Sequence, residues 1–182
     1  MIKEYLYLTL QTIRWRCSDM LVTNGIYITT LIIGDAYNTV FCGVAKSIQG
    51  CARILRGLTV DFEWEVSSQS PCGVLLQSKK HPEVFARFEK VYRNSPWTKR
   101  KAWVITKRNE AKMCEQIMYI YDKWDVAKQN IFNLVENPKL KTFKKCGITE
   151  VDGFVPYARR IGSDNPELNR VHYTIYETEV EE

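Results

Sequence analysis

Along the chain, stretches in which hydrophobic and polar residues alternate stand beside others in which the hydrophobic ones recur every three or four positions. In YLYLTLQTIRW, residues 5–15, Leu6, Leu8 and Leu10 fall on one side and Tyr5, Tyr7 and Thr9 on the other, a β-strand pattern rich in strand-forming types. Asn24 and Gly25 supply a turn, and IYITTLII, residues 26–33, reads as a second strand covered on both faces or nearly so. LTVDFEWEV, residues 58–66, alternates strictly and predicts a half-exposed strand with Val60, Phe62, Trp64 and Val66 inward. A turn over 67–71 leads to a short strand in GVLLQS, residues 73–78. AWVIT at 102–106 and RVHYTIYETEV at 170–180 complete the strands.

The longer period predicts three helices. Asp35 is placed to cap a helix that reaches Arg56 and stops at Gly57, with Tyr37, Val40, Phe41, Val44, Ile48, Ala52 and Leu55 on its apolar side. Its polar stripe is narrow: Lys46, Gln49, Arg53 and Arg56. Pro82 opens a second helix, ended by Asn94, Ser95 and Pro96. Val84, Phe85, Phe88, Val91 and Tyr92 form one of its faces, Arg87, Lys90 and Arg93 the other, and Glu83 is placed to pair with Arg87. The third and longest runs from Asn109 to about Glu136, with Met113, Ile117, Ile120, Trp124, Ile131 and Leu134 on its buried stripe. Residues 137–169 contain Pro, Gly and Asn throughout and read as loop.

The resulting order, β-β-α-β-β-α-β-α-loop-β, lacks a βαβ rhythm. It predicts a single α+β domain over 1–182, a mixed sheet of about five or six strands packed by three helices. A chain of 182 residues can bury a substantial core, and 45% hydrophobic content sets it apart from disordered proteins. No secretory leader pattern shows, and the apolar stretch from Met20 to Gly50 is broken by Asn24, Asp35 and Lys46, so no membrane span is expected. Six cysteines without a C-x-x-C pair, beside only two histidines, suggest free thiols in a reducing cytoplasm rather than a zinc site. No glycine-rich nucleotide fingerprint is present, and the sequence assigns no cofactor.

Charge changes the picture more than composition does. Residues 1–78 carry six basic and six acidic side chains; residues 79–145 carry seventeen and seven; residues 146–182 carry three and eight. A basic middle segment, 79–145, is therefore followed by an acidic strand and tail, 170–182. The cations Lys79, Lys80, Arg87, Lys90, Arg93, Lys99, Arg100, Lys101, Lys107, Arg108 and Lys112 are interleaved with Trp97 and Trp103. KLKTFKK at 139–145 adds Lys144 and Lys145 to the same tally. Cations neutralise phosphates and flat aromatic faces stack on bases, so this pattern suits a nucleic-acid partner. In an extended 97–103, Trp97, Lys99, Lys101 and Trp103 would share one face, whereas burial of both tryptophans would leave charge alone.

Two constellations point to catalysis. Asp61, Glu63 and Glu65 share one strand face, while Gln77 and Lys79 share a face of the next strand. Acidic residues followed by a Q-x-K step resemble the divalent-metal site of the PD-(D/E)xK nucleases, in which carboxylates hold Mg²⁺ and a lysine serves the attacking water. On that alternative Asp61 and Glu63 are the metal ligands, although Gln77 replaces an expected acid. His172 and Thr174 share a face with Tyr176 and resemble one half of a 2H phosphoesterase site, but His81, followed by Pro82 and Glu83, supplies no second half.

The leading expectation is a non-catalytic protein that binds nucleic acid, or a nucleic-acid-bound protein such as a nuclease, through its basic face. In size and in its lack of motifs the chain is similar in type to phage or mobile-element accessory proteins, among them anti-CRISPR inhibitors of RNA-guided nucleases. A metal-dependent nuclease and a module docking on an acidic protein surface are the alternatives. The oligomeric state is not legible in the pattern.

Overall fold

A computed structural model describes residues 25–34, 38–92, 96–109, 114–143, 147–155 and 170–182. Over these the protein is predominantly β: ten strands and two helices, in place of three helices around five or six strands. In chain order they are β1 (Gly25–Ile33), β2 (Asn38–Ala45), α1 (Ile48–Leu58), β3 (Trp64–Ser70), β4 (Gly73–Ser78), β5 (Val84–Tyr92), β6 (Lys101–Asn109) and β7 (Cys114–Tyr121). There follow α2 (Trp124–Leu134), β8 (Glu136–Phe143), β9 (Ile148–Phe154) and β10 (Arg170–Glu181). The strand expected over 5–15 and the cap expected at Asp35 lie outside the described residues.

Contacts divide the chain into two compact units, one reaching Arg100 and including Val180–Glu182, the other spanning Lys101–Glu179. The first has the strand order β3-β4-β5-β1-β2, antiparallel throughout, with Val180 and Glu181 lying parallel to Val44 and Ala45 beyond β2. Helix α1 sets Cys51, Ala52 and Leu55 into a core with Val74, Leu76, Ala86 and Phe88. Ser47 caps its start by accepting from the Gly50 N–H at 3.0 Å. Thr59 closes its end: the Thr59 N–H donates to the Leu55 carbonyl at 3.0 Å, and the Trp64 indole donates to the Thr59 hydroxyl at 3.3 Å. Pro71 and Cys72 turn β3 into β4. Gly73 follows at φ +153°, and a Cβ there would lie 2.0 Å from the Phe88 carbonyl oxygen, so only glycine lets β4 meet β5 at this point.

The second unit has the order β8-β9-β10-β6-β7, again antiparallel. Helix α2 buries Ala127 and Ile131 against Ile105, Val151, Tyr173 and Ile175 on one face of that sheet. β8 is exposed along almost its whole length. Asn137 adopts φ +50°, Pro138 follows, and the register slips between Glu136 and Lys139.

All three expected helices need correction. The first begins only after Ser47, and its front half is β2, because Thr39, Val40 and Phe41 favour a strand and Gly43 weakens a helix. The second is β5. Val84, Ala86 and Phe88 point to the core and Arg87 away from it, so a period of two holds where a longer one was read. The third, over Asn109 to about Glu136, contains β7 and then α2, and its expected end at Glu136 is the first residue of β8. The stretch read as loop contains β8 and β9. The half-exposed strand begins at Trp64 rather than Leu58; Trp64 is buried and Phe62 packs beside it, whereas Val60 is 75% exposed. IYITTLII, GVLLQS, AWVIT and RVHYTIYETEV are strands as expected.

Candidate functional site

In the first unit the expected cations are scattered over the faces and turns of the sheet. Lys79 and Lys80 are exposed beyond β4, and the Lys80 ammonium donates to the Asp61 carbonyl at 3.3 Å. Arg87 is exposed on the face away from α1, 4.0 Å from Glu89. Lys90 lies on the opposite face, its ammonium 5.1 Å from the ring centre of Tyr92 and 5.9 Å from that of Tyr27. The single basic helical face expected for Arg87, Lys90 and Arg93 therefore does not form. Arg93 itself lies outside the described residues, as do Lys112, Lys144 and Lys145.

Trp97 is buried at 7% exposure, while Thr98, Lys99 and Arg100 are exposed. The tryptophan pins the chain and its cationic successors face solvent. The Arg100 carbonyl accepts from the Val180 N–H at 2.7 Å, which ties this segment to Val180–Glu182. Those residues reach α1 as well. Lys46 pairs with Glu182 at 2.6 Å and Arg53 with Glu181 at 2.6 Å. Lys46, just before the Ser47 cap, and Arg53 on α1 thus join the site although the basic segment 79–145 omits them. Their signal was a polar stripe holding cations and no acid.

In the second unit Lys101 pairs with Glu177, and that hydrogen bond, with the charge behind it, raises the ammonium's pKa above the usual lysine range. Trp103 is half-buried and packs on the α2 core. The strand begins at Lys101, and Trp97 and Trp103 belong to different units, so 97–103 is not one strand face. Lys107 is half-buried and Arg108 exposed.

Of the acidic constellation, Glu63 stands beside Lys79, whose backbone N–H donates to the Glu63 carbonyl at 2.8 Å. Asp61 sits in a turn before β3, Glu63 precedes the strand, and it is Glu65 that lies opposite Gln77. Gln77 donates to the Pro82 carbonyl at 2.8 Å. Among the described residues no three His, Cys, Asp or Glu side chains stand together as a metal site.

His172 is more embedded in chemistry than its motif suggested. Its Nδ1 meets the Asp152 carboxylate, and its Nε2 lies 4.0 Å from Glu150. Both carboxylates come from β9, read beforehand as loop; the alternating TEVD at 149–152 was the available signal. Arg108 stands opposite His172, and Lys139 opposite Asp152. The result is a face of mixed charge around a held imidazole. His81, in the other unit, is 3.7 Å from Glu83.

These features define a class only by architecture: two β-rich units, each with one helix on its sheet among the described residues. No protein-family model, curated protein or solved structure matches the chain. No helix among the described residues is long and apolar enough to cross a membrane.

Proposed function

We propose that this protein is a non-catalytic binding protein whose partner is a nucleic acid or a nucleic-acid-bound protein such as a nuclease. One observation carries the reading: the buried Trp97 presents Lys99 and Arg100 to solvent, and among the described residues no carboxylate pairs with either. Cations held out on an anchored backbone meet phosphates without a further backbone ordering cost. The tryptophans serve packing, so recognition rests on phosphate contacts and not on stacking. That favours shape and charge over base sequence. An inhibitor of an RNA-guided nuclease is the most specific form of this proposal, since such a target offers both a polyanion and a protein surface.

The test is a salt titration of binding to labelled single- and double-stranded DNA and RNA. Affinity is expected to fall linearly on a log–log plot, and Lys99→Ala with Arg100→Ala should lower the slope by about two, roughly one per lost phosphate contact. Absence of binding at the lowest salt, or an unchanged slope in the double variant, would sink the proposal. Added to a cleavage reaction of an RNA-guided nuclease, the protein should suppress cutting.

A further inference from the structure

The first turn of α1 contains no acidic residue, although the partial positive charge at a helix start favours an anion there. The anions come instead from 128 to 136 residues away in sequence. Glu182 pairs with Lys46, and Glu181 with Arg53. The backbone seats them: the Lys46 N–H donates to the Glu181 carbonyl at 2.8 Å, and the Ser47 hydroxyl to the Glu182 carbonyl at 3.2 Å. The Arg53 guanidinium reaches the Glu182 carbonyl too.

The position is shaped for this chain segment. Gly50 is buried in the first turn, where glycine costs a helix about 1 kcal/mol relative to alanine. A Cβ on Gly50 would come within 2.7 Å of the Glu182 carbonyl oxygen and of the Ala45 side chain. A glycine unfavourable to the helix is the residue that admits the segment.

The charged contacts themselves are open to water. The Glu182 side chain is 78% exposed, and Arg53 and Glu181 are each nearly half exposed. Exposed ion pairs contribute between zero and about 1 kcal/mol and weaken with salt. Val180 holds the segment by burial and by its place beside Val44, while the two carboxylates beyond it are held loosely.

We propose that Glu181 and Glu182 are an autoinhibitory contact: their carboxylates occupy an anion site made by Lys46 and Arg53, and a phosphate polyanion displaces them. Lys99 and Arg100 adjoin the same segment through the Val180–Arg100 hydrogen bond, so displacement adds Lys46 and Arg53 to the cations already exposed. The inference takes from the preceding section only the class of ligand, a polyphosphate. The strand pairing of Val180 remains in place during the exchange, so only side chains move.

The experiment compares the full chain with Glu181→Gln/Glu182→Gln, using tripolyphosphate as the probe in low salt and a labelled single-stranded oligonucleotide in parallel. Tripolyphosphate is expected to bind the double variant about tenfold more tightly than the unaltered chain, equivalent to about 1.4 kcal/mol. Adding Lys46→Gln and Arg53→Gln should abolish the gain. Asp122→Asn/Glu136→Gln, which removes the same charge from the second unit without taking a carboxylate from a paired cation, should produce none. Equal affinity in the unaltered chain and the Glu181/Glu182 variant overturns the proposal. So does a gain that survives loss of Lys46 and Arg53, because it would report net charge alone. The oligonucleotide separates the two readings. If tripolyphosphate shows the gain but no variant binds the oligonucleotide, the contact stands and the nucleic-acid reading falls; if the oligonucleotide binds without any tripolyphosphate gain, the reverse holds.

Discussion

On the buried face of α1, the Cys51 thiol is fully enclosed, and burial pushes its pKa up to about 12 despite a hydrogen bond with Thr29. Cys72, at the β3–β4 turn, is exposed. Thiolate is the reactive form, so at pH 8 iodoacetamide should modify Cys72 in the native protein and reach Cys51 only after unfolding. Peptide mass spectrometry reads both sites, and native labelling of Cys51 would contradict the packing. Lys101 also responds to alkaline pH. Its folded-state pKa is raised, so the stability its pair with Glu177 contributes is complete below the unfolded lysine value and is lost as pH rises through the folded one. Glu177→Gln should flatten the dependence of thermal stability on alkaline pH relative to the unaltered chain. Of the residues singled out in the sequence, the cations were legible as cations. Their grouping was not, because a strand puts Arg87 and Lys90 on opposite faces where a helix would have put them together.

At the level of elements, β5 shows why periodicity alone failed. Val84, Phe85, Phe88, Val91 and Tyr92 satisfy a helical stripe, yet all five are β-branched or aromatic beside a core already supplied by β1 and β4. Propensity was the better guide there, as it was for Thr39, Val40 and Phe41 in β2. The strands whose alternation coincided with one covered face, such as GVLLQS, were read correctly for the same reason. Phe88 is the largest fully buried side chain in this sheet, so Phe88→Ala should cost about 3–5 kcal/mol in urea unfolding. A cost below 1 kcal/mol would mean that β5 does not pack as described. The His172–Asp152 pair escaped the sequence because half of it lay in a stretch whose prolines and glycines read as loop.

For the whole molecule, the sequence's charge blocks do not coincide with its structural units. The basic segment is cut between Arg100 and Lys101, and the acidic run is divided between Glu179 and Val180, so each unit receives both signs. The two cores share no residue. Hydrogen exchange should show it: Phe88→Ala should speed exchange in β1, β4 and β5 and leave β6, β9 and β10 up to Glu179 slow, whereas equal acceleration everywhere would show a single cooperative core. Strand β8, finally, bears on how the protein behaves among its own copies. Among the described residues it pairs on one side only, with β9. A smooth, apolar edge of that kind invites other chains to add strands without limit. A left-handed Asn137, a proline with no N–H to offer, a slipped register and two lysines make this edge a poor template. The same eight residues that complicated the sequence reading thus keep copies of the chain from adding strands at this edge.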